Sequence, residues 1–411
     1  MATDVWVYAD WEIFSQPTLI GKLRSDTIRN GEHFSFCYDE TWLVSPFVQK
    51  IDPDLELWSG EQHSQNAHNF RVFLDSCPDR WGRLLMKRRE AILARQQKRR
   101  PRILNEIDYL LGVHDFHRQG ALRFRQSIDG PFLDNNQKFT APPMASLKEL
   151  AFAAQQVEKA NDDEPEYFQW LLLLMAPGSS LGGARPKASV RDDHNNLWIA
   201  KFPSGHDGYD VAAWEFLAHR LAVEAGIEMA ECQITRYENV HHTFLTKRFD
   251  RQGQRRLHFT SAMTQLGYYD GDYEASYLEI AQFLVEQGAK TRDDLAQLWR
   301  RIVFNIAISN SDDHLRNHGF IYQEKGWVLS PAYDINPVPD AHGLHLNINE
   351  AENSLDYALA MSVIDYFQLS ARQAEKIKGE VLASVSQWRA VANTLNISRS
   401  EQERMASAFR I

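Results

Sequence analysis

Cysteine is scarce in this chain of 411 residues: there are three, Cys37, Cys77 and Cys232, far apart and odd in number. They supply neither a disulfide framework nor a paired metal site, and they fit a reducing cytoplasm. Long apolar runs are also missing. The most hydrophobic stretch, Trp170 to Ala176, is far too short to span a bilayer and reads as a buried helix. The opening MATDVWVYADWEIF carries acids where a secretory signal needs positive charge. Basic residues are in the minority. The net charge of −10 argues against a protein whose main surface grips nucleic acid. One local patch departs from this balance: Lys87-Arg88-Arg89, then Arg95, Lys98, Arg99, Arg100 and Arg102. It reads first as the solvated face of a helix and the loop that ends it at Pro101, and second as a docking surface for an acidic partner or DNA backbone. No internal repeat or low-complexity tract is present.

What remains is ordinary for a globular protein, with 44% hydrophobic and 24% charged residues. The length suggests two or three packed units. VWVYAD at 5–10 and HFSFCYD at 33–39 alternate as strands do, with Gly21 and Gly31 placed in the intervening turns. From FRVFLDSCPDRWGRLLMKRREAILARQ the spacing becomes helical, with Phe73, Leu84, Leu85, Ile92 and Leu93 on one stripe. Residues 126–143 turn to Asp, Asn, Gly and Pro, a linker composition. Two helices follow, LKELAFAAQQVEKA and PEYFQWLLLLMA, ended by Pro177-Gly178. KASVRDD-HNN-LWIAKFP reads as two strands around a polar turn. VAAWEFLAHRLAVEAG is a helix closed by Gly226. CQITRYE and TFLTKRFD read as strands, and the chain beyond Arg251 is predominantly helical. This order outlines a two-lobed enzyme with a cleft between lobes.

The chemistry concentrates in FNIAISNSDDHLRNHGF, residues 304–320. Phosphoryl transfer needs cations on the phosphates, oxygen ligands to hold those cations, and a group to orient the attacking hydroxyl. Asp312 and Asn317 have the spacing D-x-x-x-x-N of protein-kinase catalytic loops. Asp334, in SPAYDINP, is placed to act as a metal-binding aspartate after that loop. Alone the pattern is weak, since solvated turns are rich in the same residues. Upstream, Lys201 ends the strand-like LWIAKF, suited to reach the α- and β-phosphates, and Glu215 follows on the next helix, where it can pair with that lysine. GSSLGGARPKASV at 178–190 offers Gly182 and Gly183 for close backbone approach to phosphate and Lys187 for positive charge. It matches neither the Walker A pattern nor the kinase G-x-G-x-x-G; by composition alone, a plain glycine-rich loop is favoured.

Taken in order, S-S-L-G-G-A-R-P-K, W-I-A-K-F-P, K-R-F-D-R, N-S-D-D-H-L-R-N-H and A-Y-D-I-N-P resemble the HipA family of bacterial serine/threonine kinases, the toxins of HipA/HipB-type toxin–antitoxin modules. F-L-D-S-C-P-D-R-W-G-R resembles that family's N-terminal region. The resemblance runs from about residue 1 to 400. It implies an α+β, two-lobed protein-kinase-like fold. Residues 1–140 would form a β-rich N-terminal subdomain with helices, 141–250 a kinase-like N-lobe, and 251–411 an all-helical C-lobe with the catalytic loop. The implied cofactors are ATP and Mg²⁺.

Residue by residue, the resemblance makes Asp312 the catalytic aspartate, Asn317 and Asp334 the magnesium ligands, and Lys201 the nucleotide-phosphate lysine. Lys247, Arg248 and Phe249 fall where the family's hinge meets adenine, and Asp250 where it meets ribose. His314 matches a family loop position and is read as bracing the loop. Ser180, with Ser179 beside it, falls where members phosphorylate themselves. Three departures stand out: Asp313 where members commonly have Gly, Arg316 where Lys is frequent, and the loop around Arg185-Pro186. Arg316 or a lysine there can hold the transferring phosphate, with different hydrogen-bond geometry. The implied partners are a protein substrate, an aminoacyl-tRNA synthetase such as the glutamate enzyme, and a helix-turn-helix antitoxin that would supply contact with DNA. The alternatives are a small-molecule or lipid kinase, and a catalytically vestigial corepressor or antitoxin-binding protein.

Overall fold

The computed structural model describes residues 2–29, 31–65, 68–136, 141–159, 166–175, 183, 185–237, 241–272 and 274–411. They form two compact units: Met1–Gly205 with Asp250–Thr260, and His206–Phe249 with Ser261–Ile411.

The first unit opens with an antiparallel sheet of β1 (Ala2–Ala9), β2 (Thr18–Ile28), β3 (Gly31–Tyr38), β4 (Gln62–His63) and β5 (Leu122–Arg125), in the order β4-β3-β2-β1-β5. Alternation sends Val5, Val7, Phe34 and Phe36 inward, where they meet Phe70, Phe73 and Phe124. Gly21 corrects its expected place in a turn. It lies inside β2 between Val7 and Tyr38. A Cβ there would stand 2.3 Å from the Cys37 carbonyl oxygen, so close strand approach is what demands glycine.

Helix α1 (Glu40–Leu43) is followed by α2 (Arg71–Asp75) and α3 (Arg80–Gln96). The break between α2 and α3 falls at Cys77-Pro78, where proline removes a backbone donor. Asp79 starts α3 by accepting from Gly82 N at 2.8 Å. Helix α4 (Glu106–Gly112) carries a capping box, and α5 (Leu147–Glu158) packs on α6 (Tyr167–Met175). Then β6 (Lys187–Arg191) and β7 (Leu197–Lys201) make the expected hairpin. Its turn is built by Asp192, which accepts from His194 N, Asn196 N and Trp198 Nε1 at 2.8–2.9 Å.

The second unit begins with α7 (Val211–Glu224), which Asp210 caps at its start and which is followed by Gly226 at φ +79°. Strands β8 (Cys232–Thr235) and β9 (Thr243–Lys247) pair antiparallel. After α8 (Ala262–Gln265) and α9 (Tyr277–Gln287) comes α10 (Thr291–Ala307), with Leu298, Trp299, Ile302, Val303, Phe304 and Ile306 all buried. Helices α11 (Tyr357–Ser362) and α12 (Ala371–Val385) pack against α10, and α13 (Trp388–Thr394) and α14 (Arg399–Met405) follow toward the end of the chain. The all-helical expectation for 251–411 is corrected here: Gly319–Gln323 and Gly326–Leu329 form an antiparallel hairpin, with Phe320 opposite Leu329. The two strands are only 5 and 4 residues long, too short for their alternation to stand out beside the helical pattern around them. Among the described residues, no helix is long and apolar enough to cross a membrane.

Candidate active site

The loop after α10 separates its two aspartates. Asp312 is exposed, whereas Asp313 is buried. The Asp313 carboxylate accepts from Asn305 Nδ2 at 2.6 Å, His318 Nε2 at 3.1 Å and the Tyr277 hydroxyl. Burial alone would raise its pKa, but the adjoining His318 and Tyr277 hold the carboxyl below its ordinary value. Tyr277 is pushed far up, by burial first and then by Asp313. The loop is also stapled internally. Asp312 O accepts from Asn317 Nδ2 and from His314 N, both at 3.0 Å. With its amide nitrogen so engaged, Asn317 has its amide oxygen as the end that suits a cation.

Asp334 takes φ +57°, a left-handed conformation that costs a non-glycine residue about 1–2 kcal/mol and is found at functional sites. Its segment is held from both sides. Ala332 N donates to Glu228 O at 2.7 Å, and the Tyr333 hydroxyl donates to Arg316 O at 2.6 Å. Asn336 Nδ2 donates to Asp334 Oδ1 at 3.3 Å. The Tyr333 ring meets the Phe249 ring at 5.4 Å. The second unit thus gathers Asp312, Asn317, the Asp334 segment and Phe249 around Tyr333 and Arg316. Arg316 pairs with Asp270 at 3.1 Å. The His314 ring lies edge-on to His345 at 5.8 Å, and its Nδ1 is buried with no partner among the described residues.

The amide oxygen of Asn317 and the carboxylate of Asp334 are hard oxygen donors. That set fits Mg²⁺, which keeps several waters and takes its remaining ligands from phosphate. Among the described residues, no group of three or more His, Cys, Asp or Glu gathers as a metal site.

The other expected residues are distributed over both units. Glu215, in α7, is buried. Lys247 ends β9, with Nζ 2.9 Å from Glu231 Oε2, and Arg248 is buried beside it. In the first unit, Lys201 ends β7 and is half-buried. Asp250 is buried, and its Oδ2 accepts from Gly120 N and Arg251 Nη1, both at 2.8 Å. Lys187 is buried and pairs with Asp79 at 2.8 Å, while Gly183 takes φ +98°. Gly182, Ser179 and Ser180 lie outside the described residues. Sequence reasoning missed Tyr277, Asn305, His318 and Tyr333. Asn305 carried a signal as a polar residue inside an apolar helical run, and His318 and Tyr333 carried one by falling inside the NSDDHLRNH and AYDINP motifs; Tyr277 carried none.

The family model described as HipA-like C-terminal domain matches residues 179–389, more than half of the chain. A Haemophilus influenzae protein named "Putative kinase" is 30% identical over 191 residues, covering 40% of this chain and 54% of that protein. "Putative kinase Y4dM" of Sinorhizobium fredii is 28% identical over 199 residues, covering 44% of this chain and 47% of that protein. The chain thus spans about half the length of these curated relatives. Shewanella oneidensis HipA, solved with HipB and operator DNA, superposes with a TM-score of 0.65 at 17% identity, covering 97% of this chain and 94% of that one. That likeness establishes the fold, and the family match establishes kinship: the chain belongs to the HipA family.

Proposed function

We propose that this protein is a Mg²⁺- and ATP-dependent serine/threonine protein kinase that works in the cytoplasm as the growth-arresting toxin of a toxin–antitoxin module. The observation that carries the reading is the Tyr333–Arg316 hydrogen bond at 2.6 Å, which ties the segment of Asp334 to the loop of Asp312 and Asn317. Chemistry of this kind is mostly positioning and electrostatics. Bound nucleotide supplies the transferable phosphoryl group, and the metal offsets its charge. Asp312 orients the acceptor hydroxyl and takes its proton; being exposed, it is open to a macromolecular acceptor. Asn317 and Asp334 would hold the cation, and Arg316 would supply positive charge for the transferring phosphate. Lys201 would serve the nucleotide phosphates, and Phe249 the base.

By family kinship, the acceptor proposed is a serine of an aminoacyl-tRNA synthetase, the glutamate enzyme foremost. Ser180, with Ser179 as second choice, is the proposed self-modification site. A phosphate there adds a charge of about −2 to a segment that must receive anionic nucleotide, which acts as an off-switch. The solved Shewanella complex of HipA with HipB and operator DNA supports a HipB-type antitoxin as partner, and DNA would be reached through it.

The test is transfer of labelled phosphate from ATP to the protein itself or to a synthetase, with Asp312→Ala alongside. Transfer by the parent, reduced at least about a hundredfold in the variant, is expected. Transfer at the parent's rate in Asp312→Ala overturns the assignment, and label found only in a small metabolite replaces the acceptor class.

A further inference from the structure

Lys187 was expected to lend its charge to phosphate. In this structure its charge already faces a carboxylate. Nζ lies 2.8 Å from Asp79 Oδ2, and both side chains are only 3% exposed. The same carboxylate uses Oδ1 to cap α3 through Gly82 N at 2.8 Å. Nζ also donates to the Gly183 carbonyl at 3.4 Å. Gly183 takes φ +98°, and a Cβ on it would lie 3.3 Å from Nζ. At the other end of the residue, Trp81 Nε1 donates to Lys187 O at 3.2 Å from 106 positions earlier.

Both ends of Lys187 are therefore held by the Asp79-Arg80-Trp81 start of α3. Lys187 also stands directly opposite Lys201 in the β6–β7 hairpin, where like charges repel. A buried carboxylate beside Lys187 removes that repulsion. An ammonium buried against a carboxylate is compensated in place, and breaking the pair leaves a buried charge exposed to its full desolvation cost.

We propose that Asp79 and Trp81 are positioning residues that hold Lys187 as the anchor of the glycine-rich segment, so that nucleotide affinity depends on the start of α3 and not on a phosphate contact by Lys187. The proposal rests on the kinase reading for the nucleotide and on the geometry of the first unit for the anchor.

The experiment uses the full chain with Asp79→Asn, Lys187→Met, both together, and Lys187→Arg. Calorimetry reads the Mg-ATP dissociation constant, and amide hydrogen exchange reads residues 183 and 185–191. An anchor makes the first two variants equivalent. Each weakens Mg-ATP by about tenfold, the double variant is no worse than either, and exchange in 185–191 speeds up in all three. Lys187→Arg keeps most of the affinity, because the cation is retained. A direct phosphate contact has another signature: Lys187→Met weakens nucleotide binding, while Asp79→Asn leaves it unchanged or tightens it. That result overturns the proposal. Should Asp79→Asn fail to fold, Trp81→Phe removes only the indole donor. Faster exchange around 187 supports the anchor, and unchanged exchange overturns it. A parent chain that binds no Mg-ATP defeats the kinase reading, while the exchange comparison still decides the anchor.

Discussion

Asp312 and Asp313 are adjacent in the chain and opposite in environment. Asp312 is exposed, and Asp313 is 3% exposed with His318 Nε2 at 3.1 Å. Neighbouring residues divide two tasks, one presenting a carboxylate and the other locking the backbone that presents it.

The two aspartates should therefore respond differently to alanine. Asp312→Ala is expected to lower kcat by about 10²–10⁴. Its unfolding free energy should stay within about 0.5 kcal/mol of the parent. Asp313→Ala leaves Tyr277, Asn305 and His318 without their shared acceptor, and urea unfolding should show a loss of about 3–5 kcal/mol. The depressed carboxyl of Asp313 has a further consequence. Its stabilisation is full above the ordinary carboxylate value and is lost as pH falls through the folded one. Equal stability of the two variants would refute this division.

Tyr333→Phe removes the hydroxyl that reaches Arg316 O and little else. The expected stability cost is about 1 kcal/mol. The larger effect should fall on metal use, because Asp334 is the next residue. A Mg²⁺ titration of phosphoryl transfer should shift to higher concentration. An unchanged titration would show that the two segments keep their register without this hydrogen bond.

Chelation by EDTA should abolish transfer and excess Mg²⁺ should restore it. Asn317→Ala should raise the Mg²⁺ needed for half-maximal rate by about tenfold or more. Asp334→Ala should not be rescued by added metal. Transfer that persists in EDTA contradicts the assignment of both ligands.

Asp52 offers a pH test away from the active site. Burial pushes its carboxyl up to about 6 from 3.8, although Val72 N at 2.9 Å and Asp54 N at 3.0 Å donate to it. The folded state therefore prefers the proton. Its contribution is fullest below the unfolded value and is lost as pH rises to about 6, by about 3 kcal/mol in all. The difference in unfolding free energy between the parent and Asp52→Asn should fall across that interval and then level. A flat difference would remove the effect.

Much of the local structure was legible in the chain itself. The alternation in VWVYAD and HFSFCYD appears as β1 and β3, and the polar turn between KASVR and LWIAK appears as a hairpin on Asp192. Helix α7 runs from its Asp210 cap to the turn at Gly226. The spacing of Asp312 and Asn317 already placed them in one loop. Less legible was the hairpin after that loop, because runs of 5 and 4 residues are too short to separate a period of two from a helical stripe.

Residue type, spacing and turn chemistry thus determined which elements form and which side chains are available for phosphoryl chemistry, since these depend on neighbours within a few positions. Three matters needed the tertiary structure: which of two adjacent aspartates goes inside, that Tyr333 reaches Arg316, and that Lys187 meets Asp79. Each depends on residues far apart in the chain arriving together. A buried charge is tolerated only where packing brings its partner, and spacing along a sequence carries no record of that meeting.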